Sequence, residues 1–384
     1  MLGHLNTFVR HPAARAAGLV FGLNSLAGGT WAVVIPYVKD NLQLSEAGLG
    51  LVLLFMPAGI LMANPLTAWL MQKLDVRRTM ILGTVFFLIF MGLLPLMPTV
   101  SLLAVNLFLA GLASSPMGIT MNTLANEIEL EDGVKIMSTC HGMYSLGALA
   151  GAAFFQLGLA LGLRPALHFG LLMGVSLLLV PFISLSVGNR YQPKRKQGQK
   201  VFRWPNKDMW IMILVAFPLL MSEGVVFDWS AVYLRDYASA SDQLAGLGFV
   251  GFSLAMTLGR FSGDAILHGL SSRKVVFRGG LTIAAGFILL ASLPFPLLVI
   301  TGFTLVGLGA FLIAPVLFGA AARSPGYAPG AGLAIFVTFT FTAFITGPPL
   351  VGLVAEALGL HVALGLVGLA ALVAALGSLK LPRL

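Results

Sequence analysis

The chain reads as long apolar runs separated by short polar breaks. Runs long enough to cross a hydrocarbon core of about 30 Å centre near residues 26, 58, 88, 112, 148, 176, 221, 256, 284, 308, 342 and 370. Between them fall stretches such as "NLQLSE" from Asn41, "QKLDVRR" from Gln72 and "EIELEDG" from Glu127. The runs carry Gly, Ala and Leu without strict apolar/polar alternation, which excludes a β-barrel and predicts an all-α polytopic membrane protein with twelve transmembrane helices. Gly147 and Gly151, like Gly259 and Gly263, stand four apart. That spacing predicts helices packed closely through small residues.

Composition agrees with the pattern. Of 384 residues, 58% are hydrophobic and 10% charged, with a mean hydropathy of +0.94, whereas soluble domains carry roughly 25% charge. The net charge of +9 invites a nucleic-acid reading, but its placement argues for a membrane instead. Of the 23 Lys and Arg residues, Lys39, Arg164 and Arg235 lie on one side, Arg260 lies inside a span, and the other nineteen lie opposite. Basic loops favour the cytoplasmic face, so both termini are predicted to be cytoplasmic. The first apolar stretch, Ala13 to Tyr37, is too long for a signal-peptide core and reads as a retained span. A single cysteine, Cys140, excludes an intrachain disulfide and a cysteine-cluster metal site; it reads as a small packing residue. No zinc spacing, phosphate loop or nucleophile-base-acid set is present, so no metal, cofactor or enzymatic activity is expected. "GLGFVG" from Gly246 fits a dinucleotide pattern by letter, yet it opens an apolar run with no strand before it and reads as close packing.

The one long polar interruption, "VGNRYQPKRKQGQKVFRWPNKD", divides the chain into residues 1–187, a basic cytoplasmic linker 188–208, and residues 209–384. A shift of 198 residues lays "WAVVIPYVKDNLQLSEAGLGLV" from Trp31 over "WSAVYLRDYASASDQLAGLGFV" from Trp229, with seven identities in 22 positions. Two parallel six-helix repeats are implied. In transporters of that plan the substrate site lies between the halves near mid-membrane. One chain holds both halves, so a monomer is sufficient.

Twelve spans, a central basic linker and "LTAWLMQKLDVRRTM" from Leu66 resemble the major facilitator superfamily. The resemblance implies gating roles for Lys73, Arg77 and Arg78, with Ala68 and Gln72 standing where the family signature has Gly and Asp, and Asp75 as a replacement acid. In the second half "LGRFSGDAILHGLSSRK" from Leu258 keeps Gly263, Arg273 and Lys274. More narrowly, "MNTLANEIE", "HGMYSLGALAGA" and "EGVVFDWSAVYLRD" resemble a bacterial permease branch distantly similar to fucose permeases, which implies a bacterial inner membrane.

An ionisable side chain at mid-span costs about 2.5 to 3.5 kcal/mol on insertion scales, so each one is a candidate site. Glu223 and Asp228 share the seventh span. At 1.5 Å per residue from Trp210 they lie about 20 Å and about 27 Å along it. The repeat supplies a control: 198 residues earlier stand Ser25 and Thr30, so the scaffold is buildable there without acids. Burial disfavours a charged carboxyl and a nearby cation favours it, so Glu223 is the leading proton carrier, a static hydrogen-bonded acid being the plainer alternative. Asp228 is a second candidate, or the partner of Arg235 seven residues on. His141 is the third proton-coupling candidate because imidazole titrates near neutral pH.

Asn24, Asn122, Tyr144 and Gln156 are uncharged groups suited to a hydroxyl- or amide-bearing solute. Trp31 and Trp229 read as interfacial or packing residues, or as platforms for a sugar-like ring. Arg260 and Asp264 stand at salt-bridge spacing, as a gate or a static pair. The acidic run Glu127 to Asp132 reads as a solvated face or a latch, and Pro348 with Pro349 predicts a break in the eleventh span.

Together these features predict a secondary active transporter, coupled to protons, that imports a small polar solute by alternating access. Its partners are the solute, protons and the lipid bilayer, and nucleic acid is not among them. Proton-driven export of amphipathic compounds is the nearest alternative, since 27 Phe and 16 Met would suit such cargo. A receptor that binds without transport is another.

Overall fold

A computed structural model describes residues 8–188, 191, 204–267, 271–327 and 331–381, the side chains of residues 263–267 excepted. Among the described residues twelve helices are long and apolar enough to cross a membrane: α1 (Pro12–Asn41), α2 (Glu46–Leu74), α3 (Val76–Leu96), α4 (Val100–Asp132), α5 (Met137–Ala160), α6 (Pro165–Val187), α7 (Lys207–Tyr237), α8 (Asp242–Ser262), α9 (Ser272–Ser292), α10 (Pro296–Ala322), α11 (Ala331–Leu358) and α12 (Leu360–Lys380). Every centre expected from the apolar pattern falls inside its helix. Among the described residues there is no strand.

Polar side chains start these helices where the first turn leaves amides without partners. His11 precedes α1 and accepts from the Ala14 amide, with Pro12 in the first turn. Asp75 precedes α3 and accepts from the Arg78 amide at 2.8 Å. Its backbone has φ 76° and ψ 168°, a region that side-chain-bearing residues rarely enter. Asn206 does the same for α7 through the Met209 amide at 2.9 Å. The residue before α5, Ile136, has no side-chain oxygen to offer. Glu129 reaches across instead and accepts from the Ile136 and Met137 amides at 2.6 and 2.8 Å. At the same end of α4, Gly133 turns the chain with φ 67°, the usual left-handed helix stop.

Most of the acidic run is therefore engaged in the structure, with Glu131 its exposed acid. Beside the capping Glu129, Asp132 Oδ2 accepts from the Tyr191 hydroxyl at 2.6 Å and pairs with His11 Nε2 at 2.9 Å. Glu127 is buried. Three separated segments converge on this run.

The chain forms two compact units. One comprises Met1–Gln43 and Val52–Arg195; the other comprises Leu44–Leu51 and Lys196–Leu384. Residues 189, 190 and 192–203 of the expected linker lie outside the described residues.

In the first unit α1 and α5 approach backbone to backbone. A side chain on Gly147 would collide with the Gly22 carbonyl oxygen, and one on Gly151 with the Leu26 carbonyl oxygen. The close packing expected of that pair is present. Cys140 is fully buried in the same helix, as a packing residue should be.

In the second unit the equivalent helices α7 and α11 meet through side chains. The Phe344 ring lies against Gly224, and the Met221 side chain lies against Gly347. The short segment Leu44–Leu51 also packs on α11, where the Ala47 amide donates to Glu356 Oε2 at 3.2 Å. The break predicted at Pro348 and Pro349 is absent: α11 runs helically through both. Gly347, Pro348 and Val351 are buried there. Packing on both sides of the prolines thus holds the helix through the turn that lost its amide donors.

Candidate functional site

The second unit carries an ion pair within its spans. Glu223 on α7 and Arg260 on α8 form an ion pair with Nη2 to Oε1 at 3.6 Å, their side chains 19% and 20% exposed. Arg260 was expected to pair with Asp264, four residues on; the Asp264 side chain lies outside the described residues. Sequence spacing finds partners on one helix, and no periodic signal links α7 to α8. This pair is the main feature that the sequence left unseen.

Asp228, one and a half turns from Glu223, is half-buried. The ion pair expected with Arg235 does not form, because Arg235 Nε engages the adjacent Asp236 Oδ1 at 2.7 Å. Among the described residues no hydrogen bond or ion pair reaches Asp228. Phe344 and Phe341 of α11 are half-buried and stand 6.1 Å apart between ring centroids.

The equivalent positions in the first unit are closed. The Ser25 hydroxyl donates to the Phe21 carbonyl at 3.2 Å, and that of Thr30 to the Leu26 carbonyl at 2.7 Å. Both hydroxyls also face the glycines of α5. Each polar group is satisfied within its own helix, and the seam is tight where its counterpart carries acids.

The remaining candidates of the first unit are divided by burial. His141 is exposed, its ring edge-on to the fully buried Phe21 at 5.2 Å. Asn24, Tyr144 and Asn122 are half-buried, and Asn122 Nδ2 donates to the Gly118 carbonyl at 2.9 Å on its own helix. Gln156 is only 6% exposed, and its Oε1 is buried without a hydrogen-bond donor. The structure brings Asn24, His141 and Tyr144 onto the packed pair α1 and α5.

The two tryptophans are packed inside the protein. Trp31 is 6% exposed and Trp229 is entirely enclosed, its Nε1 buried without an acceptor. Neither offers a ring face to a solute in this conformation, because neighbouring helices cover both.

Of the residues assigned to gating, Asp75 is committed to the α3 cap and also lies 3.7 Å from Arg78 Nε. Arg77 donates to the Ser184 hydroxyl at 3.0 Å, which ties α3 to α6. Lys73 is exposed. Arg273 Nη2 donates to the Leu381 carbonyl, which fastens the start of α9 to the end of α12. Among the described residues no group of three or more His, Cys, Asp or Glu could hold a metal ion.

Residues 17–263 match the Major Facilitator Superfamily. An uncharacterised transporter of that type from Yersinia pestis is 33% identical over 371 residues, covering 95% of this chain and 94% of its own. An uncharacterised transporter from Sinorhizobium fredii is 34% identical over 367 residues, covering 94% of this chain and 96% of its own. Among solved structures, the nucleoside transporter NupG superposes with a TM-score of 0.79 over 96% of this chain and 98% of its own, at 15% identity. That last likeness is one of fold.

Proposed function

Because this chain belongs to the major facilitator superfamily, a family of membrane transporters and not of enzymes, we propose that it is a proton-coupled secondary active transporter of a small polar organic solute. It works by alternating access in the bacterial inner membrane, with both termini cytoplasmic and the monomer as the working unit.

The observation that carries the reading is the Glu223–Arg260 pair at 3.6 Å, each partner about one-fifth exposed. An intramembrane carboxylate with one cation beside it has two stable forms. It is ionised while the guanidinium is close and neutral once the guanidinium withdraws, since the uncompensated charge is costly there. A rearrangement that moves α8 against α7 would therefore load or release a proton at Glu223. The first unit has Ser25 and Met62 at the equivalent places, which supports a role beyond scaffolding. One proton crossing 100 mV is worth about 2.3 kcal/mol, roughly a fifty-fold accumulation of solute. Half-buried Asn24, Asn122 and Tyr144 are proposed to contact the solute, and His141 to assist proton movement.

The test is transport in proteoliposomes. Wild type should take up solute along an imposed pH gradient and also exchange it by counterflow. Glu223→Gln, which holds the neutral form, should keep counterflow and lose gradient-driven net uptake. Uptake by that variant that still follows the pH gradient refutes the proton role.

A further inference from the structure

Two acids, Glu223 and Asp228, stand in the apolar middle of α7, and of these two only Glu223 has a cation beside it among the described residues. Asp228 is half-buried, so its carboxyl is neither sealed in packing nor freely hydrated. The nearest cation expected on its own helix face, Arg235, is held by Asp236. Among the described residues Asp228 takes part in no hydrogen bond or ion pair that would compensate its burial. The scaffold does not need an acid here either: the equivalent Thr30 satisfies itself on the Leu26 carbonyl at 2.7 Å.

What lies around Asp228 has a definite chemistry. Gly224 is four residues earlier and hence on the same face of α7. Its missing side chain lets the Phe344 ring lie against that face, 2.9 Å from where a Cβ would stand. Phe344 is half-buried and keeps Phe341 beside it at 6.1 Å. One turn along α7 thus joins an unbalanced carboxylate to an aromatic ring. The ring's negative face and the carboxylate both attract an organic cation. Glu223 and Arg260 cancel one another, so among the described residues the local balance is one negative charge, which a single positive charge completes.

We propose that Asp228 is the counter-ion for a positively charged nitrogen on the transported solute, with Phe344 lying along that nitrogen's substituents. This rests on the transport reading above and names the solute class as an organic ammonium. Glu223 carries the proton and Asp228 recognises the cargo, so the two acids have separable tasks.

Binding to the purified full-length protein, followed by thermal shift and titration, tests the assignment with matched probes: choline against 3,3-dimethyl-1-butanol, glucosamine against glucose, and phenethylamine against 2-phenylethanol. Wild type should bind at least one charged member more tightly than its neutral partner. Asp228→Asn should weaken that binding by about tenfold or more, as expected when one partner of a desolvated charge pair is removed. Phe344→Leu should weaken it several-fold while leaving the unfolding temperature of the free protein within a few degrees. Glu223→Gln should retain the charge preference. If no charged probe is preferred, or if Asp228→Asn binds it as wild type does, the inference is overturned. Should Asp228→Asn fail to fold, Phe344→Leu decides: unchanged affinity for the charged probe overturns the assignment. Loss of pH-driven uptake in Glu223→Gln bears on the proton reading alone, so the two failures are distinguishable.

Discussion

At the scale of single residues, the second unit's ion pair is open to a direct energetic test. Removing one partner of a buried pair leaves the other charge uncompensated, which costs more than removing both. Glu223 and Arg260 are each about one-fifth exposed, so water softens the penalty. Arg260→Met alone is expected to destabilise the protein by about 1–3 kcal/mol, read as a fall in unfolding temperature in detergent. The double variant Glu223→Gln with Arg260→Met should recover most of that loss. A double variant no more stable than Arg260→Met alone would show that the two groups are energetically independent. Neither residue advertised the other in the sequence. Glu223 stood out because an acid in an oily run is conspicuous, while its partner lies on a different helix and came into view only through folding.

At the scale of helices, the two repeats have been treated differently. The α1–α5 seam is closed by glycines against carbonyl oxygens, whereas α7 meets α11 through the Phe344 ring and the Met221 side chain. Backbone contact leaves no slack, because interiors pack like crystals and added volume forces strain. Gly151→Val should therefore destabilise by about 1–3 kcal/mol or more through overpacking. A comparable enlargement at Gly347, whose nearest neighbour is a flexible Met221 side chain at 3.3 Å, should cost clearly less. Equal losses in unfolding temperature would contradict a difference in tightness between the seams. The four-residue glycine spacing pointed to the first seam in advance. The second was not foreseen, because α11 carries Ile345 and Pro349 where α5 carries Gly147 and Gly151. The helix through Pro348 and Pro349 likewise depended on neighbours, since local propensity alone argues for a stop.

At the scale of the whole molecule, topology is the quantity to measure. The charge bias predicts that the α7–α8 connection lies outside and the α8–α9 connection inside. Cys140 is fully buried, so the native background to an impermeant maleimide should be silent. Ser241 and Ser271 are exposed residues just before α8 and α9. In spheroplasts, Ser241→Cys should label readily and Ser271→Cys only after permeabilisation. The opposite pattern would invert the proposed orientation.

The sequence by itself determined the membrane character, the number and placement of the twelve helices, the superfamily and the conspicuous position of Glu223. Those depend on quantities that add up along the chain: apolar length against bilayer thickness, charge per loop, and the cost of one ionisable group in oil. Only the tertiary structure decided who stands beside whom. It paired Glu223 with Arg260 across two helices, left Asp228 without Arg235, enclosed Trp229, and turned part of the acidic run into caps and ties. The physical reason is that contacts between helices depend on relative rotation and close approach, and neither is encoded in the spacing of residues along a single helix.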